Sequence, residues 1–106
     1  AAATQLDREA QRLGALLESA RARSRSSGVA VRWQAVAGGF RFDGLAAEAL
    51  PSRWLDASTQ AQAPALLVLG PDPIIGRQSV LLTAGGRSLR VATDGIGPFS
   101  VVGEGP

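Results

Sequence analysis

The hydrophobic pattern of this chain changes its period once, at Gly28, and that change limits the folds open to it. Before Gly28, residues 4–25 carry an apolar stripe whose members lie alternately four and three residues apart, the spacing of one helix face. After Gly28, apolar residues alternate with polar ones over short runs, as they do in half-buried strands. One helix followed only by strands predicts an α+β domain with the helix packed on antiparallel sheet, because βαβ folds need helices between their strands.

The predicted helix has an apolar and a charged surface. Its packing face consists of Leu6, Ala10, Leu13, Leu17 and Ala20. Its charges alternate in sign, with Asp7, Glu9 and Glu18 interleaved with Arg8, Arg12 and Arg21. This mixture favours a solvated face with local ion pairs over a basic helix that binds membranes or nucleic acid.

The first strands are predicted directly after the helix. Val29, Val31 and Trp33 share one face of the first strand, and Gly38-Gly39 marks a hairpin to the second. The continuous apolar run at residues 65–69 predicts a strand that is buried on both faces.

The last third of the chain predicts a second hairpin and a final strand. Residues 79–83 and 87–93 flank a small turn at residues 84–86. The final strand, at residues 99–102, follows a glycine- and proline-rich turn. Together with the first hairpin and the apolar run, these segments give five or more antiparallel strands.

Missing residue types exclude many chemistries. The chain has no His, Cys, Met, Tyr or Lys, and its 11 basic residues, all Arg, stand against 9 acids for a formal charge of +2. This composition excludes histidine acid–base catalysis, cysteine nucleophiles, thiolate or imidazole metal sites and Schiff-base lysines. A hydrophobic share of 45% with 19% charged residues is typical of a globular domain rather than a disordered segment.

The remaining candidate sites are weak. The isolated carboxylates, which show no spacing of a catalytic pair, are Asp43, Glu48, Asp56, Asp72 and Asp94. The glycine-rich pieces precede strands rather than helices, which indicates turns and not phosphate cradles. Asp72 and Asp94 lack the clustered oxygen ligands of a calcium loop, and Trp33 and Trp54 are better explained as core residues than as stacking platforms for nucleic acid. We therefore predict no catalytic, cofactor-binding or metal-binding residues.

Five short patterns, in chain order, resemble the H-type minor pseudopilins of the type II secretion system. They are a Glu-Ala-x-Arg-Leu run at 9–13, a Leu-Leu-x-x-Ala-Arg run at 16–21, Gly28 before the first strand, Gly-Pro-x-Pro at 70–73 and Asp-Gly-x-x-Pro-Phe at 94–99. The resemblance implies a pilin-like fold, in which one long helix packs on antiparallel sheet, with two sheets in a sandwich as one arrangement. Residues 1–27 would be the C-terminal half of the pilin-type helix and residues 28–106 the β domain, together forming one globular domain.

The resemblance also implies a location and partners. The sequence begins without the family's prepilin leader and apolar N-terminal helix, so we expect an intact protein that is held in the inner membrane by that segment, with this domain in the periplasm. Its partners would be the major pseudopilin and other minor pseudopilins, with secreted cargo or the outer-membrane secretin as further contacts. The family is not enzymatic and needs no cofactor. Its task is to help move folded proteins across the outer membrane.

The loop at residues 43–63 is the predicted partner-facing region. It is long and irregular, with an apolar anchor at Leu50, Trp54 and Leu55. Because long loops in compact domains are often functional, we predict that Arg53 and Trp54 face an assembly partner. The alternative left open is that Trp54 is a plug that covers the sheet.

Two other functions compete with this interpretation. A minor pilin of a type IV pilus would share the layout, and some such pilins bind DNA through basic residues. Acids are interspersed along this chain and no loop or tail collects arginine, so nucleic acid is not the expected partner. A periplasmic ligand-binding module is the third interpretation, although the sequence indicates no convergent polar pocket.

Overall fold

One helix and seven strands make up the part of the chain that the computed structural model describes, residues 2–63 and 65–103, with side chains from Gln5 onward. The elements are α1 (Ala2–Ser27), β1 (Val31–Val36), β2 (Gly39–Asp43), β3 (Gln60–Ala61), β4 (Leu66–Gly70), β5 (Gln78–Ala84), β6 (Arg87–Thr93) and β7 (Ser100–Val101). The predicted α+β class is confirmed. The two predicted segments, 1–27 and 28–106, also contain residues 1, 64 and 104–106, which lie outside the described residues.

The helix ends where the sequence predicts its end. Gly28 adopts a left-handed backbone with φ of 75°, and its N–H donates to the Ser24 carbonyl at 2.9 Å. This is the usual geometry of a glycine that terminates a helix, since a side chain would strain that conformation.

The strands form two antiparallel sheets. The first sheet has the order β2-β1-β4 and the second β3-β5-β6-β7. Both predicted hairpins are present, with Val36 opposite Gly39 in one and Ala84 opposite Arg87 in the other. The helix contacts β1 and β4 of the first sheet and β5, β6 and β7 of the second, so it covers parts of both sheets.

A single hydrophobic core joins the helix to both sheets. The five stripe residues predicted from the sequence, from Leu6 to Ala20, are all buried in it. Trp33 and Leu69 enter it from the first sheet, and Leu82 and Val91 from the second. Burial of a leucine or valine side chain contributes roughly 1.5–3 kcal/mol, so this shared core holds the three layers together.

Val29 does not belong to the first strand, contrary to the prediction. The strand begins at Val31, and Val29 is 50% exposed. The Ser24 hydroxyl donates to the Val29 carbonyl at 2.7 Å, and the Val29 N–H donates to the Ser27 hydroxyl at 3.1 Å. Val29 is therefore held in the turn that closes the helix, where strand alternation does not apply.

The prediction that residues 65–69 are buried on both faces is wrong. Leu67 and Leu69 are buried, but Leu66 and Val68 are 53% and 45% exposed. The helix lies against only one face of this sheet, and β4 is an edge strand. Its outer edge meets the second sheet through one side chain, because Gln78 accepts from the Val68 N–H (2.7 Å) and donates to the Val68 carbonyl (2.9 Å).

The loop at 43–63 is more ordered than the sequence predicts. It contains the short strand β3, and Arg53 forms a β-bridge with Gly39. Leu50 and Trp54 pack against the core as predicted, whereas Leu55 is 61% exposed. Leu55 begins the bend that follows Trp54, and its side chain points into solvent.

Candidate functional site

Glu9 is a buried carboxylate that the helix turns toward the long loop. Its side chain is fully buried, and it accepts the N–H of Leu55 (2.9 Å), the N–H of Asp56 (3.1 Å) and the hydroxyl of Thr59 (2.9 Å). These donors satisfy the buried negative charge, since hydrogen bonds to an ionised carboxylate are among the stronger ones in proteins. Glu9 thereby fixes the turn at residues 55–59 against the helix.

Arg12, one turn further along the helix, completes this arrangement. Its Nη1 lies 3.5 Å from Glu9 Oε1 and donates to the Arg53 carbonyl at 3.0 Å. The pair thus binds the same segment through both kinds of backbone group, with Glu9 taking N–H groups and Arg12 a carbonyl. We call Glu9, Arg12 and residues 53–59 the Glu9 anchor.

Arg21 lies near the other end of the helix and binds four backbone carbonyls. Arg21 is 2% exposed. Its guanidinium donates to the backbone carbonyls of Gly97 (2.8 Å), Pro73 (2.9 Å), Gly95 (3.1 Å) and Ile96 (3.3 Å). A guanidinium carries five donors in a planar fork, which suits it to several acceptors at once.

Glu18 is the partly exposed ion-pair partner of the buried Arg21, as Arg12 is of the buried Glu9. Its Oε2 lies 3.4 Å from Arg21 Nη1 and accepts the N–H of Phe99 at 2.9 Å. We call Glu18, Arg21 and the loop segments at 73–76 and 95–99 the Arg21 anchor.

The Arg21 anchor brings together two loops that are distant in sequence. The Ile75 N–H donates to the Gly95 carbonyl at 3.0 Å. Gly95 has a φ of 98°, and a side chain there would lie 2.6 Å from the Gly76 backbone. Only glycine allows this approach. The Gly-Pro-x-Pro and Asp-Gly-x-x-Pro-Phe patterns noted in the sequence are therefore neighbours, and one arginine links them.

Neither anchor was predicted from the sequence, where alternating signs placed these charges on a solvated face; Glu9 and Arg21 are instead buried. The signal is nevertheless present: Glu9 lies three residues after Leu6 and four before Leu13, and Arg21 lies four after Leu17. These spacings put both charges on the edge of the apolar stripe. A charge in that position must find polar partners on whatever the stripe packs against.

The two residues predicted to face a partner have different surroundings. Arg53 is exposed, and its backbone is fixed by Gly39 and Arg12. Trp54 is half-buried, with its ring centroid 4.7 Å from that of Phe40 and 6.4 Å from that of Trp33. This geometry fits the plug interpretation of Trp54. A role of either residue in assembly stays a prediction.

Two aspartates stabilise the anchored loops from within. Asp56 accepts hydrogen bonds from the hydroxyl and the N–H of Ser58, which lower the pKa of its carboxyl below 3.8. Asp94 accepts the N–H groups of Gly97 and Ile96, and these bonds lower its pKa in the same direction. Both carboxylates act as acceptors for turn backbone, a common role of aspartate in turns.

The described part of the chain contains no group of three or more acidic residues that could hold a metal ion. Among the same residues, no helix combines the length and apolar character needed to cross a bilayer. What the two anchors do chemically is bind backbone and fix loops. Among the described residues, the buried Nε of Arg21 has no hydrogen-bond partner. No family model, curated protein or solved structure matches this chain.

Proposed function

We propose that this domain is a structural subunit, a minor pseudopilin of a type II secretion pseudopilus that assembles with other pseudopilins to help export folded proteins. In this proposal the fold is pilin-like, the intact protein is held in the inner membrane by a preceding helix, and the domain lies in the periplasm. The subunit works by packing and carries out no reaction of its own.

The observation that supports the proposal best is the construction of the helix. One face is committed to both sheets, and two charged pairs fix the loops to it, while the opposite face remains exposed along its length at Arg8, Gln11 and Ala15. A helix that is fixed on one side and exposed on the other has the layout needed to pack against helices of neighbouring subunits. The sequence patterns given above add the resemblance to pseudopilins.

Disulfide crosslinking in cells tests this proposal directly. The chain has no cysteine, so one introduced thiol reports on one position. We expect Ala15→Cys in the intact protein to crosslink to a cysteine scanned along the helix of the major pseudopilin encoded in the same genome. Arg32→Cys, exposed on the first sheet, is the matched control and should form no such adduct.

The outcomes separate the proposal from its rivals. Crosslinks at Ala15 together with loss of secretion on deletion of the gene would support a pseudopilus subunit. Crosslinks to a type IV pilin, with secretion intact, would assign the domain to a pilus instead. A protein that forms no adduct with either kind of pilin would contradict the assembly function.

A further inference from the structure

The outer face of the second sheet carries an open groove. It has a volume of about 810 Å³ and lies on the side of β5, β6 and β7 away from the helix. Its floor includes Ala92, and its walls include Arg77, Arg90, Ser79 and Ser100. This volume is in the range of sites that hold small ligands or short peptides.

The groove carries more positive than negative charge, since Arg77 and Arg90 line it together with one carboxylate, Asp94. The pKa of Asp94 is lowered by the N–H groups of Gly97 and Ile96 and also by attraction to Arg77, so these two charges balance each other in part. Arg90 supplies the excess positive charge. Among the described residues, neither Arg77 nor Arg90 forms a salt bridge within 4.0 Å.

Arg90 is held in place for binding. Its Nη1 donates to the Ser79 hydroxyl on the neighbouring strand at 3.2 Å, and the residue is half-buried. Ala92 lies on the same side of β6 as Arg90, and its small side chain leaves space above the sheet there. An arginine oriented in this way can still offer paired donors to a carboxylate, which is the acceptor that matches its fork.

We propose that this groove binds an extended, acidic segment of a partner protein, with an Asp or Glu side chain against Arg90 and the segment's backbone over Ala92. An extended segment places every second side chain on one side, so a carboxylate and a small apolar residue two positions apart would meet Arg90 and the floor together. The hydroxyls of Ser79 and Ser100 add neutral hydrogen-bonding groups for the segment's backbone.

The same observations make nucleic acid the weaker occupant. The groove has two arginines and one carboxylate, and none of its lining residues is aromatic. Single-stranded nucleic acid is bound by several phosphate contacts together with aromatic rings on which bases stack. The described tryptophans and Phe40 instead pack together on the first sheet and the long loop.

This inference deepens the proposed function, since it names a surface through which an assembly subunit would recognise a partner or cargo. The groove inference can be wrong while the proposed function is right, because the groove lies on β5–β7 and the crosslinking test concerns the exposed face of α1. A domain that crosslinks through its helix but binds no acidic peptide would contradict only the groove.

The test is a fluorescence polarisation titration of the chain with the labelled peptide Asp-Ser-Ala-Ser-Asp-Ser, which places Asp and Ala on one face and is roughly 20 Å long when extended. We expect Arg90→Gln to weaken binding about tenfold, because it removes a charge-assisted pair. Ala92→Leu, which fills the floor without changing charge, should weaken binding as well. Arg32→Gln, an exposed arginine on the other sheet, is the matched control and should change the affinity less than about twofold.

Two further probes complete the design. The same peptide with Asn in place of Asp should not bind, and amide shifts in an NMR titration should centre on Ala92 and Ser100. The proposal is overturned if no saturable binding occurs, if Arg32→Gln weakens binding as much as Arg90→Gln, or if the shifts map elsewhere. Tighter binding of an oligothymidine than of the acidic peptide, lost in Arg90→Gln, would assign the groove to nucleic acid instead.

Discussion

The Glu9 and Arg21 anchors fix loops to the same helix with opposite charges. Glu9 accepts N–H and hydroxyl groups of one segment, whereas Arg21 donates to carbonyls of two segments. In each pair the acid precedes the arginine by three residues, and the more exposed partner binds a backbone group of the opposite kind. The same helical spacing therefore serves both anchors, and the buried member decides which backbone groups are bound.

The difference has a structural consequence. A carboxylate has two oxygens close together, so Glu9 collects donors from a single turn, in which residues 55–59 curve around it. A guanidinium spreads its donors over a fork, so Arg21 reaches the 73–76 and 95–99 segments at once. Loss of Arg21 therefore disconnects more of the structure than loss of Glu9.

Arg21→Met should have the largest effect. It removes the buried guanidinium that donates to four backbone carbonyls, of which those of Gly95 and Gly97 keep another donor. We expect the free energy of unfolding to fall by about 4 kcal/mol. Urea unfolding measures this loss, and amide exchange at Ile75 and Phe99 should accelerate. Arg23→Met, an exposed position on the same helix, is the control.

If Arg21→Met does not fold, Arg21→Lys provides a second measurement. Lysine keeps the charge but not the planar fork, so it should recover only part of the stability. A lysine variant as stable as the parent protein would show that charge alone, and not the contact with two loops, explains the anchor.

Glu9→Gln should lower the free energy of unfolding by less, about 2–3 kcal/mol, because one acceptor oxygen remains and only one segment is affected. Its effect should also be local. The fluorescence of Trp54 should shift to the red as residues 53–59 loosen, while amide exchange at Ile75 and Phe99 stays unchanged. Asp7→Asn, exposed on the same helix, is the matched control. Equal loosening of both loop regions would contradict the independence of the two anchors.

The exposed partners should matter less than the buried charges. We expect Arg12→Met and Glu18→Met each to lower the free energy of unfolding by about 1 kcal/mol, because both side chains are partly solvated and each loses one backbone bond. Thermal unfolding of the single variants and of the double variant checks this. The two effects should add, since the pairs share no partner. A clear departure from additivity would mean that the anchors are coupled.

The smallest effect concerns pH. Asp56 and Asp94 have pKa values lowered by backbone and hydroxyl donors, so their contribution to stability is present above the ordinary value of 3.8 and is lost as the pH falls below it. Asp56→Asn and Asp94→Asn should each make the acid side of the stability curve shallower. Near neutral pH the Asn oxygen can accept the same backbone bonds, so little change is expected there. An unchanged acid slope in both variants would contradict the assigned bonds.

Local patterns predicted the fold better than the anchors. The stripe, the Gly28 helix end and both hairpins depend on residues near one another in sequence, and all are present. The backbone groups that Arg21 binds lie 52 to 76 residues away, so no local pattern indicates them. The exposure of Leu66 and Val68 has a similar origin, because burial of a strand face depends on whether another layer covers it.

The positions of the two anchors also settle how the helix is aligned on the sheets. The apolar stripe nearly repeats every seven residues, as Leu6, Leu13 and Ala20 show, so a shift by two turns would still bury apolar side chains. A shift in one direction would put Leu16 where Glu9 now meets three donors, and a shift in the other direction would put Gly14 where Arg21 meets four carbonyls. Two charges twelve residues apart, about 18 Å along the axis, thus remove the ambiguity of a repetitive stripe. A single alignment of the helix satisfies both ends.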